Sequence, residues 1–243
     1  MVAHRARAML ATPSATQGPP VLDTIDIETA PNPGATIFIL HGLGADGNDF
    51  VPIARELELD GAGPVRFVFP HAPVIPVTIN GGYRMRAWYD ILGTETSGRQ
   101  DDAGLRSSMR LVEELLAREI QRGIPSSRIV LAGFSQGCAM SLLTGLRYAH
   151  PLAGIAGLSG YLPLAGKTMA ERSIANAKTP VFLAHGQQDD IVVPERGAAS
   201  RDQLRAMGYD VQWHEYPMPH SVCMEEIRDL DAWLTGVLGQ RPA

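Results

Sequence analysis

The sequence predicts an α/β protein in which a mostly parallel central sheet carries helices on both faces. Three observations predict it: several short continuous apolar runs of strand length, helical periodicities between them, and an apolar content of 45% in 243 residues, enough for a sizeable core. With 19% charged residues and no fixed repeat, the chain is neither disordered, collagen-like nor a coiled coil.

Residues 1–20 hold His4, Arg5 and Arg7, then Thr12, Pro13, Ser14, Gly18, Pro19 and Pro20, with no continuous apolar stretch. They read as a flexible N-terminal extension, not a secretory signal or a membrane span. Residues 21–29 alternate Leu22, Ile25 and Ile27 with Asp23, Asp26 and Glu28, the pattern of a half-buried edge strand. After a turn at 31–34 come the buried parallel strands at 36–40, 65–69, 128–131 running into Ala132, 153–158 and 180–184, with a last strand at 211–216.

The clearest helix spans 101–122. Leu105, Met109, Val112, Leu115, Leu116 and Ile120 fall three or four apart, Glu113, Glu114, Arg118 and Glu119 take the other side, and Gly123 and Pro125 end it. Further helices are expected at 136–149, 194–207 and 224–238. With no long linker or low-complexity block, residues 21–243 read as one catalytic domain.

Lys plus Arg number 21 against 26 Asp plus Glu, a formal net charge of −5 with no Lys/Arg run. Nucleic acid is therefore not an expected partner. Cys138 and Cys223 make no disulfide framework and no zinc or redox spacing, which fits a reducing, cytoplasmic location. No histidine pattern has metal-ligand spacing, so neither metal nor cofactor is expected.

In open parallel sheets the chemistry sits in the loops after the strands. The strand ending in Ala132 runs into Gly133-Phe134-Ser135-Gln136-Gly137 and then a helix of small and apolar residues. This is G-x-S-x-G in its strand-turn-helix setting, where a sharp turn lifts the serine hydroxyl clear of the backbone and the glycines relieve the crowding. Ser135 is the candidate nucleophile. The Gln136 amide, at the helix N-terminus, is a candidate oxyanion donor. Cys138, three residues on, reads as a packing thiol.

His41-Gly-Leu-Gly-Ala-Asp-Gly follows the strand at 36–40. It lacks the Gly-Lys-Ser/Thr end and the G-x-G-x-x-G spacing of phosphate loops. The reading preferred is that Leu43 supplies the second oxyanion amide and that His41 fastens the loop. For the orienting acid, Asp189 lies nearer the strand end than Asp190, which could instead be a cap or a surface acid. For the base, His220 lies in a loop after the last strand, whereas His214 falls inside that strand. Chain order Ser, Asp, His suits a nucleophile elbow of this kind.

These residues together resemble the carboxylesterase and acyl-protein thioesterase family of α/β-hydrolases. The likeness covers nearly all the chain after residue 21 and rests on His41-Gly-Leu-Gly-Ala-Asp-Gly, Phe69-Pro-His-Ala-Pro with Pro76-Val-Thr-Ile-Asn-Gly-Gly, Met85-Arg-Ala-Trp-Tyr-Asp-Ile, Gly133-Phe-Ser-Gln-Gly, Leu158-Ser-Gly-Tyr-Leu-Pro-Leu, and His185-Gly-Gln-Gln-Asp-Asp with Pro219-His-Ser. It implies an α/β-hydrolase fold, a Ser135, Asp189, His220 triad, and oxyanion amides from Leu43 and Gln136; the chain between Ser135 and Asp189 has no long inserted segment that could form a large lid. It also implies that Trp88 lies beside the acyl pocket, the alternative for this ring being a core aromatic. Cys138 departs from the glycine that many relatives carry.

The expected activity is a serine carboxylesterase acting on short to medium acyl esters through an acyl-enzyme. The alternatives are an acyl-protein thioesterase or a lysophospholipase, and more remotely a non-catalytic binder of hydrophobic ligands, against which the complete Ser, Asp and His set counts. Expected partners are a small ester or thioester substrate, with no stable membrane insertion. Apolar surface around the pocket would allow two copies to pair.

Overall fold

The computed structural model describes residues 22–93 and 99–239. Along the chain run β1 (Thr24–Glu28), β2 (Ala35–Leu40), α1 (Val51–Glu56), β3 (Val65–Pro70), β4 (Val74–Val77), β5 (Tyr83–Arg86), α2 (Asp102–Gln121), β6 (Ile129–Phe134), α3 (Gln136–Arg147), β7 (Gly154–Leu158), α4 (Ala165–Glu171), β8 (Val181–Gly186), α5 (Pro194–Ala206), β9 (Val211–Tyr216) and α6 (Met224–Leu238). Seven strands form one sheet in the order β1-β3-β2-β6-β7-β8-β9, while β4 and β5 pair apart as a hairpin. Only β1 runs antiparallel to its neighbour in the large sheet.

The near-continuous apolar composition of the inner strands follows from burial on both faces. In β2, Ile37 and Ile39 join the core under α1 and α6, while Phe38 and Leu40 join the core under α2, α3 and α5. At the edge, β1 turns Ile25 and Ile27 inward, which is why it alone alternates. Asp101 is the N-cap of α2, its side chain accepting the Gly104 amide, so the helical periodicity and the cap agree. Among the described residues no helix is long and apolar enough to cross a membrane.

Four details differ from the sequence expectations. The β4–β5 hairpin, α1 and α4 were not expected, because each is short and weakly signalled. β4 carries Pro76, a residue that reads against a strand, and α4 starts from Leu164 in a left-handed conformation without a side-chain cap. The helix expected at 136–149 stops at Arg147. Asn176, fully buried, donates from Nδ2 to the carbonyls of Tyr148 (2.8 Å) and His150 (2.9 Å), and so holds that segment out of the helix. The expected extension at 1–20 lies outside the described residues.

Glu226, in the first turn of α6, is fully buried. Burial pushes its carboxyl up to about 8 from 4.5, opposed only by the Cys223 amide. The unfolded chain therefore releases this proton at lower pH than the folded one, so stability is full below about 4.5 and declines as pH rises through about 8. Glu226→Gln should remove that decline. Urea denaturation across the window should find the variant more stable at its upper end by on the order of 5 kcal/mol, and parallel pH profiles for the two proteins would refute the assignment.

Candidate active site

β6 delivers Ser135 into a conformation that an L-residue rarely adopts, φ 56° and ψ −115°. Such strain persists only where the surroundings enforce it. Here the Ser135 amide donates to the Leu158 carbonyl (2.9 Å) and its carbonyl accepts from the Ala139 amide (3.2 Å). The flanking glycines are fixed by lack of room. A Cβ at Gly133 would lie 2.3 Å from the Gly137 carbonyl, and one at Gly137 would lie 1.9 Å from the Leu40 carbonyl oxygen on β2.

The loops after β8 and β9 bring two more residues to this turn. His220 Nε2 stands 3.0 Å from Ser135 Oγ, and His220 Nδ1 stands 2.7 Å from Asp189 Oδ2. Asp189 is buried, and its Oδ1 accepts the amides of Ile191 (3.0 Å) and Val192 (2.8 Å). The carboxylate is thus aimed by its own loop, which also settles which imidazole nitrogen bears the proton: Nδ1 donates to Asp189, leaving Nε2 to accept from the serine hydroxyl. The Phe134 ring packs against His220 with centroids 4.7 Å apart. Asp190 is exposed at the surface. His214 stays within β9, its Nδ1 3.2 Å from Asp229 Oδ2, away from Ser135.

The loop after β2 lies directly on Ser135, since a Cβ at Gly42 would sit 3.3 Å from Ser135 Cβ. His41 is fully buried and accepts the Ala72 amide on Nε2 (3.0 Å), so Nδ1 carries the proton and donates to the Gly42 carbonyl (2.7 Å). Desolvation pushes its pKa down, and the neutral ring ties the loop to the chain after β3. Further along, Asp46 accepts the Asn48 amide and Asp49 accepts the Asp46 amide. Those amides, with the Gly44 amide on the Arg86 carbonyl and the Gly47 amide on His71 Nδ1, are spent inside the protein and are not offered to a phosphate.

A cavity of about 500 Å³ opens beside Ser135, within the range of small-molecule sites. Leu43, Ile79, Tyr89, Ile91, Leu92, Ile191 and Val192 give it apolar wall, with Gln136, Tyr161 and Arg196 among its polar lining. The wall is fastened to the elbow by the Gln136 carboxamide, which accepts the Trp88 amide and donates to the Tyr89 carbonyl, both at 3.0 Å. Asp90 accepts the Thr78 amide (2.7 Å), and its own amide donates to Asp101 Oδ2 (3.0 Å). Tyr89 and Tyr161 join hydroxyl to hydroxyl at 2.8 Å, and the Arg196 guanidinium lies 3.5 Å from the Tyr161 ring centroid.

A sequence model of the phospholipase/carboxylesterase family matches residues 25–238. The chain belongs to the phospholipase/carboxylesterase family. It is a hydrolase of that family with an α/β-hydrolase fold. It is 43% identical over 221 residues to acyl-protein thioesterase 1 of Mycosarcoma maydis, covering 85% of this chain and 92% of that protein. With acyl-protein thioesterase 1 of Neurospora crassa the identity is 41% over 213 residues, covering 83% of this chain and 86% of the other. The crystal structure of Zea mays acyl-protein thioesterase 2 superposes with a TM-score of 0.78 at 30% identity, over 90% of this chain and all of that one.

Against the family resemblance, one residue is placed differently. Trp88 does not line the cavity: its ring is buried in the core, where Nε1 donates to the His41 carbonyl at 2.8 Å. The indole needs a partner for its one donor when buried, and that bond turns it away, leaving Tyr89 to face the pocket. Cys138 is fully enclosed. A Cβ at either Gly157 or Gly160 would come within 2.6 Å of its sulfur, and burial pushes its thiol up to about 12, so it packs and does not react. Ile79, Tyr89, Tyr161 and Ile191 were not foreseen as lining residues. The Asn80-Gly81-Gly82 turn signal beside Ile79 could have announced the hairpin.

Proposed function

We propose that this family member is an acyl-protein thioesterase working through a Ser135, His220, Asp189 triad, with residues 21–243 as one catalytic unit. The observation that carries the chemistry is the unbroken hydrogen-bond line from Asp189 through His220 to Ser135 Oγ at the edge of an apolar cavity. The choice of an acyl-protein thioester over a small carboxylic ester rests on the acyl-protein thioesterases that match more than four-fifths of the chain at about 40% identity.

In this mechanism Ser135 Oγ attacks the thioester carbonyl carbon while His220 Nε2 takes the hydroxyl proton, and Asp189 stabilises the imidazolium. The tetrahedral oxyanion is met by the amides of Gln136 and Leu43. Gln136 opens α3, so its N–H has no intrahelical acceptor, and Leu43 lines the same cavity. The C–S bond then breaks, His220 returns the proton to the departing thiolate, and water repeats the sequence on the acyl-serine. Between Ser135 and Asp189 the described chain holds only α3, β7, α4, a 3₁₀ turn at Ile174–Asn176, β8 and short connections, so that stretch carries no inserted lid.

The test compares kcat/KM on one cysteine peptide carrying S-palmitoyl or S-acetyl, on a p-nitrophenyl ester series from acetate to palmitate, and on a palmitoyl lysophospholipid. The expected result is that the S-palmitoyl peptide exceeds both the S-acetyl peptide and the lysophospholipid by at least about tenfold, a difference of about 1.4 kcal/mol in transition-state binding. An acetate or butyrate optimum would return the protein to small-ester hydrolysis, and dominance of the lysophospholipid would make it a lysophospholipase.

A further inference from the structure

The carboxylate behind His220 has a second imidazole on it. Asp189 Oδ2 is 2.7 Å from His220 Nδ1 and also 3.3 Å from Nε2 of His185. His185 lies near the end of β8 and is 1% exposed. Its Nε2 lies 2.7 Å from the carbonyl oxygen of Val192. A carbonyl only accepts, so Nε2 carries a hydrogen; that N–H is directed at Val192 O, and Asp189 Oδ2 lies beside it, 3.3 Å from the same nitrogen. Val192 in turn gives its amide to Asp189 Oδ1. One ring therefore touches both the carboxylate and the loop that aims it.

The ring is held from its other side as well. A Cβ at Gly197 on α5 would fall 2.4 Å from His185 Nδ1, and the Trp213 ring lies with its centroid 6.3 Å away. Nδ1 is buried without a hydrogen-bond partner among the described residues. An apolar side chain would fill this site without burying an unpartnered nitrogen, so packing does not account for a histidine here. What the histidine adds is the Nε2–H.

We propose that His185 is a positioning residue for the hydrolytic reaction: its Nε2–H, bonded to the carbonyl of Val192, whose amide aims Asp189 Oδ1, and set 3.3 Å from Asp189 Oδ2, holds the carboxylate in the one orientation that keeps Oδ2 on His220. This rests on the triad reading above. His185 touches neither substrate nor the reacting atoms, so its loss acts on the chemical step through the aim of His220. Small errors of aim are costly, up to about 10²-fold for a misplacement of an ångström.

The test measures kcat and KM on a p-nitrophenyl ester for wild type, H185L, H185Q and S135A, with thermal melting of each. Expected for H185L is a fall in kcat of roughly 10- to 100-fold with KM within about twofold of wild type. H185Q, whose Nε2 reaches the same place with an N–H, should recover most of the loss. A role confined to packing the loop would show differently: Ile191 and Val192 line the cavity, so a loosened loop raises KM, and glutamine would do no better than leucine. That pattern, or wild-type kcat in H185L, overturns the proposal while leaving the triad intact. Should leucine unfold the protein, H185N, polar but too short to reach the Val192 carbonyl beside Asp189, takes its place with the same expectations. Activity surviving in S135A would instead sink the triad reading and this one with it.

Discussion

Ser135→Ala is expected to lower kcat on the order of 10⁶-fold, and Asp189→Asn on the order of 10⁴-fold, with both variants folded. Alanine keeps the Cβ at φ 56° and deletes only the hydroxyl, so the elbow and its strain persist without the attacking atom. Asparagine is isosteric, but its amide group has one way to fit. Oδ1 of Asp189 already accepts two backbone N–H groups, from Ile191 and Val192, so the oxygen of asparagine must stay there and its NH₂ must take the Oδ2 position. That NH₂ faces His220 Nδ1 at 2.7 Å and His185 Nε2 at 3.3 Å. To avoid meeting donor with donor, His220 must shift its proton to Nε2, where it can no longer accept from Ser135. Because the three residues act as a unit, Ser135→Ala combined with His220→Ala should cost little more than Ser135→Ala alone. Steady-state kinetics on a p-nitrophenyl ester decide it, with melting curves as the folding control. A Ser135→Ala enzyme retaining a hundredth of the activity would remove Ser135 as nucleophile.

The residues that meet at this site were readable in the sequence because each follows a parallel strand directly. Ser135 comes at the end of β6, Asp189 just beyond β8 and His220 just beyond β9, and strands of buried apolar residues announce themselves in a single short run. The cavity wall was not readable for the converse reason. From Val74 to Asp90 the chain forms a four-residue strand containing Pro76, a short 3₁₀ turn and another short strand, with no period long enough to show which side chains face inward. Trp88 illustrates the difference. Its neighbourhood was legible from the resemblance, but its direction depended on one bond, from Nε1 to the His41 carbonyl, between segments 47 residues apart. Likewise His185 sat in plain view beside Gly186, yet its tie to Asp189 needs the loop to fold back through Val192.

Glycine-to-alanine substitutions at two helix positions should have opposite signs, because intrinsic propensity favours alanine in both and only local room differs. At Gly236, in α6, nothing lies within 4 Å of an added Cβ, so alanine should stabilise by up to about 1 kcal/mol through helix propensity and a less flexible unfolded chain. At Gly137, in the first turn of α3, the same methyl would sit 1.9 Å from the Leu40 oxygen and 2.5 Å from its carbonyl carbon. Those atoms are backbone in β2, between β3 and β6 in the sheet, and cannot rotate aside as a side-chain terminus would. Either α3 lifts from the sheet, taking Ser135 with it, or β2 breaks register with its neighbours. The expected loss is about 3–5 kcal/mol, at the high end for a single substitution, enough to leave little soluble protein. Urea midpoints of the two variants against wild type provide the check. A Gly137→Ala protein as stable as wild type would mean that α3 has slack against β2, and the close approach that holds Ser135 at its turn would no longer explain the strained conformation there.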